Sequence, residues 1–195
     1  MADAAGEAAA VSAASATERI LRAAIAELVS RGAGALAMHD VAERAGVSKG
    51  LIHYHYQDKD ALLARAAERL GARIAMRASR ALASSSPATV VEDLRRWLQT
   101  ELDLGEWHAL LALGEWPASS VQAASREALE ARRAVTARMT QQLFELLGVR
   151  PRIALKHAAD LLVALVGGLA VEPESDADPL AAFDVLVLAL LGLAE

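Results

Sequence analysis

A chain of 195 residues can hold a small domain fused to a larger one, and 54% hydrophobic content is ample for a core, although much of it is alanine, which buries little area per residue. With 4% aromatics and few alternating β-branched runs, it reads as helical rather than sheet-forming, and the absence of cysteine excludes disulfides, thiolate zinc sites and cysteine nucleophiles. The net charge of −5 conceals a division: over residues 17–80, 11 Lys and Arg stand against 7 Asp and Glu, whereas from residue 81 onward 9 stand against 16. A basic front on an acidic body points to a polyanion as the partner of the front.

Residues 1–16 are Ala/Ser-rich with no Lys or Arg, so they read as a loose tail and not as an export signal. Thr17 is placed to cap a first helix in which Ile20, Leu21, Ala24, Ile25 and Leu28 recur at helical spacing, with Gly32 and Gly34 stopping it. A short helix is expected over Asp40–Ala45 and another from Lys49 to about Tyr56, after which Asp58 caps a long fourth helix from Lys59 to about Leu82. The Ser-rich break ending at Pro87 divides head from body. In the body, helices are expected at Val90–Leu104, Glu106–Leu113 and Ser119–Leu147, then about Pro151–Val171 and Pro179–Leu193. The longest apolar stretches, Leu161–Val171 and Val185–Ala194, fall short of the roughly 20 residues a bilayer requires, so no membrane partner is expected.

The segment Val41–Tyr56 carries the chemistry. A helix-turn-helix needs a small residue where its helices cross, which Ala42 supplies, and a positive φ four residues on, which Gly46 can adopt. Val47 closes the turn, Ser48 caps the second helix, and Ile52 and Tyr56 anchor it inward. Lys49, Gly50, His53 and Tyr54 then face outward, a cation, a bare backbone, an imidazole and a phenol suited to a major groove. His53 and His55 are two apart and point to nearly opposite sides of a helix, so with His39 they make no metal site. No cofactor or catalytic constellation is legible. Gly32-Ala33-Gly34 follows a helix, not a strand, and so is no nucleotide-binding fingerprint.

The run Val41-Ala42-Glu43-Arg44-Ala45-Gly46-Val47-Ser48-Lys49-Gly50-Leu51-Ile52-His53-Tyr54-His55-Tyr56, followed by Asp58-Lys59-Asp60-Ala61-Leu62-Leu63, resembles the N-terminal domain of TetR-type transcriptional regulators. The resemblance covers about residues 17–63. It implies an all-α protein in which a three-helix DNA-binding head (17–63, motif about 38–57) joins through a connecting helix (64–82) to a helical ligand-sensing and dimerisation domain (83–195). It also implies a base or phosphate contact from His39, a recognition face of Lys49, Gly50, Leu51 and His53, and phosphate contacts from Tyr54, His55 and Lys59, beside the cap Ser48. Ala37 departs from the pattern, because Thr or Ser is usual there and a capping hydroxyl is lost; His53 stands where Tyr is common, and Tyr56 where Phe is common.

The last two helices are apolar nearly all round, so one side of each calls for a partner; a homodimer through residues 151–171 and 179–193 is expected. Two heads about one DNA turn apart would read a near-palindromic operator in double-stranded DNA. The phrase Leu104-Gly105-Glu106-Trp107 recurs as Leu113-Gly114-Glu115-Trp116, and Trp97, Glu101, Trp107, His108 and Trp116 are candidates to line a pocket for an unknown small molecule. The function expected is a cytoplasmic, nucleoid-associated regulator, a repressor released by ligand. The alternatives are a helical protein-interaction adaptor or a helical enzyme that does not bind DNA.

Overall fold

The computed structural model describes residues 2–171 and 178–192, and among these it is all helix. The first helix, α1 (Ala2–Ala35), begins well before Thr17, so the stretch expected to be a loose tail has helical backbone. Alanine is the strongest helix former and continues the helix upstream without a cap, which overrides Thr17 as a start. Gly32, at φ 78°, breaks α1 where the sequence places its stop.

Three short turns of chain complete the head: α2 (Met38–Ala45), α3 (Lys49–His55) and the beginning of α4 (Lys59–Arg80). Ile20, Leu28, Val41, Ile52, Leu62 and Leu63 are all buried in a common core, so α2 and α3 are held against α1 and α4 by apolar anchors rather than by their own length. Ion pairs trim the edge. The buried carboxylate of Glu27 on α1 accepts from Arg44 on α2 at 2.6 Å and from Arg31, which also reaches Asp40 at 2.8 Å.

The body comprises α5 (Val90–Leu104), α6 (Glu106–Gly114), α7 (Ser119–Leu147), α8 (Leu155–Val171) and α9 (Pro179–Gly192). Left-handed glycines end two of them as the pattern implies, Gly105 at φ 62° and Gly148 at φ 67°. Pro151 does not open α8, which starts at Leu155 after a short irregular segment. The favoured first-turn position of proline is permissive, not compulsory, and the chain spends those residues turning out of α7. Leu193, the expected end of α9, lies outside the described residues.

α4 packs along α7 as the central pair of the molecule, burying Leu70, Gly71, Ile74 and Ala78. The approach is closest at Gly71, where a Cβ would lie 2.4 Å from the Cβ of Ala128 and 3.1 Å from its Cα. Glycine is therefore required sterically, although it disfavours the helix by about 1 kcal/mol relative to alanine. No helix among the described residues is long and apolar enough to cross a membrane.

Gly71→Ala is expected to lose about 1–3 kcal/mol of stability in urea unfolding, despite its better helix propensity, because overpacking outweighs the propensity gain. Combination with Ala128→Gly should recover part of that loss; strict additivity would show that the two residues do not collide.

Candidate nucleic-acid interface and the network behind it

The recognition element is built by local rules. Gly46 ends α2 at φ 63° and ψ 43°, donating its N–H to the Glu43 carbonyl at 3.1 Å, while the Val47 N–H reaches Ala42 at 3.0 Å. That left-handed corner is strained for any residue with a side chain, and it sets the angle between α2 and α3. Ser48 then accepts from the Leu51 N–H through Oγ at 3.2 Å, and Asp58 caps α4 by accepting from the Ala61 N–H at 2.8 Å. Ala37, as its side chain dictates, makes no cap on α2.

With Ile52 fully buried and Tyr56 nearly so, α3 has one inward side. Lys49, Gly50, His53 and Tyr54 are exposed together on the other, Tyr54 at 81%, with Ser48 beside them and Leu51 half-buried at the edge. His39 is exposed at the start of α2. Burial raises the Tyr56 phenol above its ordinary pKa, consistent with its role as an anchor rather than a contact.

Two expected contacts are placed differently. His55 is half-buried; its Nδ1 lies 3.2 Å from Oγ1 of Thr17 on α1, and its Nε2 is buried with no hydrogen-bond partner, so the ring joins α3 to α1 instead of the open face. Lys59 is half-buried with its Nζ 4.9 Å from the ring centroid of Trp116, a cation–π contact. The Trp116 Nε1 donates to Asp60 at 2.8 Å. Trp116, expected in a pocket, thus sits against the first turn of α4, directly behind the head.

The other candidate pocket residues separate as well. Glu101 is fully buried: it accepts from Arg77 Nε at 2.6 Å, from Arg77 Nη2 at 2.8 Å and from Trp107 Nε1 at 2.8 Å. Neighbouring Glu106 accepts from Arg73 at 2.9 Å and Arg77 at 2.7 Å. Trp97 lines a groove of about 270 Å3 with Arg77, Arg80, Asp93 and Arg96. His108 is exposed and places its Nδ1 3.1 Å from the Ala170 carbonyl of α8. Glu101 and Trp107 belong to one network; His108 and Trp116 do not join it.

The pattern reading did not single out Arg73, Arg77, Glu106 or Arg132. Arg132 is 4% exposed and its guanidinium lies 3.5 Å from the Trp107 ring centroid. A signal for it exists in the sequence: Ala128, Arg132, Val135 and Met139 recur at helical spacing, so one arginine stands as the charged residue of the inward face.

An exposed, cation-bearing helix held by a glycine corner, ahead of a larger helical body, is the arrangement of a helix-turn-helix head. Residues 20–66 match the family model for bacterial regulatory proteins of the tetR family. The fold is similar to that of a putative TetR-family transcriptional regulator from Mesorhizobium loti (18% identity, 93% of this chain and 98% of that one, TM-score 0.74). It is also similar to a putative TetR-family transcriptional regulator from Rhodococcus sp. (25% identity, 89% and 98%, TM-score 0.67) and to a TetR-family regulator from Agrobacterium tumefaciens (14% identity, 94% and 100%, TM-score 0.73). No curated protein matches the chain in sequence. Residues 20–66 thus match the tetR-family DNA-binding domain, and the fold of the whole chain is similar to that of TetR-family regulators.

Gly46→Ala is expected to cost about 1–2 kcal/mol through the left-handed backbone, and Ser48→Ala about 1 kcal/mol through the lost cap. Thermal unfolding checks both, and an unchanged Tm for Gly46→Ala would show that the corner is not under this constraint.

Proposed function

We propose that the protein acts as a cytoplasmic, nucleoid-associated repressor, a homodimer that holds a near-palindromic operator and lets go when a small molecule occupies its body. The observation that carries this reading is the α3 surface, where Lys49, Gly50, His53 and Tyr54 stand exposed around a buried Ile52. Lys49 supplies charge to phosphate or to a guanine edge, Gly50 permits close approach of the backbone, and His53 and Tyr54 supply hydrogen bonds. Ser48, Leu51, His39 and Lys59 flank that surface; Lys59 reaches a phosphate only by leaving the Trp116 ring.

The dimer rests on α8 and α9. Phe183, Val187 and Leu190 turn α9 inward, which leaves Ala181, Val185, Leu188 and Gly192 along its open side; on α8 the open side carries Leu161, Ala164, Gly168 and Val171. Leu161, Val171, Val185 and Leu188 are between 47% and 69% exposed, and on α8 the charged residues Lys156 and Asp160 are confined to the beginning of the helix, where they pair at 4.0 Å. Two apolar stripes on adjacent helices suit a two-fold four-helix interface. The paired bodies would then fix the distance between heads, and a ligand that favours another distance would weaken operator binding.

Selection from a random DNA pool should return inverted half-sites about one helical turn apart, or a multiple of it. Lys49→Ala with Tyr54→Ala in a folded protein should weaken binding to the selected site by about 1–3 kcal/mol per lost contact; unchanged affinity would sink the assignment of α3. Val185→Glu with Leu188→Glu should convert the dimer to a monomer in sedimentation equilibrium and abolish cooperative occupation of both half-sites; a dimer that survives both charges would place the interface elsewhere.

A further inference from the structure

The ion-pair network of the body holds three guanidinium groups against two carboxylates, with Arg73 at its rim and Arg132 at its buried end. Glu101 and Glu106 are paired with Arg73 and Arg77, two carboxylates against two guanidinium groups, and Glu101 accepts a third bond from Trp107. Arg132 is a third guanidinium, 4% exposed, lying over the Trp107 ring, and its Nε and Nη1 have no hydrogen-bond partner. The charge that acts on it most is that of Arg133, which repels it, and burial together with that repulsion pushes its pKa down to about 9. At neutral pH it is still a cation.

A buried charge without an opposite charge or a full set of hydrogen bonds is among the most costly arrangements a core can hold. A methionine or leucine would fill the same inward position of α7 between Ala128 and Val135 with no such cost. The buried face of α7 around it is mainly apolar, with the hydroxyl of Thr136 one turn on: Ala128, one turn back, meets Gly71 of α4, whose packed face also buries Leu70 and Ile74. Free donors of a planar guanidinium, set among apolar side chains and an indole face, match a carboxylate carried on an apolar body. One excess positive charge matches one negative charge.

We propose that the body of this regulator takes a hydrophobic monocarboxylate, with Arg132 as the group that binds its carboxylate. The inference rests on the reading of the protein as a ligand-responsive regulator and names the chemical class of the ligand. It also supplies a route to the head. Arg132 on α7 contacts Trp107 on α6, Trp107 donates to Glu101 on α5, and Glu101 holds Arg77 on α4. A carboxylate drawing the guanidinium to itself loosens its hold on the indole, and the change passes through Glu101 to the helix that carries the head.

The test is calorimetric titration of the full-length protein with benzoate, hexanoate and decanoate, each beside its neutral amide. At least one acid should bind tenfold or more tightly than its amide. In Arg132→Met that preference should vanish, while the Tm stays level or rises because an unpaired buried charge has gone. Arg132→Gln provides the same comparison if the methionine variant does not fold. Equal affinity for acid and amide, an unchanged acid affinity in the variants, or no binding by any of the three acids would overturn the proposal. A gel shift of the wild-type protein on its selected DNA, run without any acid, separates the two readings: absence of that shift defeats the regulator reading, whereas a shift with no acid preference defeats only the assignment of Arg132.

Discussion

Helix α4 belongs to two cores at once, and the rest of the structure follows from that sharing. Its first turn is capped by Asp58 beneath the recognition helix and puts Leu62 and Leu63 into the core of the head. Its middle presses Gly71 onto Ala128 with no room for a methyl group. Its last turns carry Arg77 into the carboxylates of α5 and α6. A helix fixed at three levels cannot tilt in the body without carrying α3 with it. Because packed cores have discrete arrangements and do not deform continuously, such a helix is suited to switching between two head positions.

The contact between Trp116 and the start of α4 strengthens this view. The indole lies under Lys59 and donates to Asp60, so the junction of α6 and α7 touches α4 at its first turn, the part that lies in the head. Lys59 is thereby held by an aromatic face within the protein, and under the proposed function a phosphate would compete for it. Such an exchange would couple DNA occupancy to the position of Trp116 at modest energetic cost, since cation–π contacts contribute about 0.5–2 kcal/mol from exposed to desolvated sites.

What the sequence made legible was local. Gly46, Ser48, Ile52 and Asp58 each act within a few residues, through a backbone angle, a cap or an inward anchor, and the structure places them as the pattern requires. Boundaries failed where a permissive signal met a stronger neighbour: Thr17 is a good cap but follows an alanine run that is already helical, and Pro151 is allowed in a first turn that begins four residues later. Side-chain partners were the least legible. His55 turns to Thr17, 38 positions away, and Trp116 reaches Asp60 across 56 positions. No spacing rule connects such residues, because only tertiary packing brings them together, that of α1 on the other helices of the head for His55 and that of α4 on α6 and α7 for Trp116. Arg132 is intermediate, visible as an arginine on a mainly apolar helical face but meaningful only once Glu101 and Glu106 are seen to be paired with Arg73 and Arg77.

Native-state hydrogen exchange of the backbone amides in α4 tests the shared helix most directly. If α4 is common to both cores, amides from Leu62 through Ala78 open together, with the same free energy and the same denaturant dependence as the inward-facing stretch of α7. A head that opens first, taking the Leu62–Leu70 half of α4 with it while the remainder stays protected, would contradict the account.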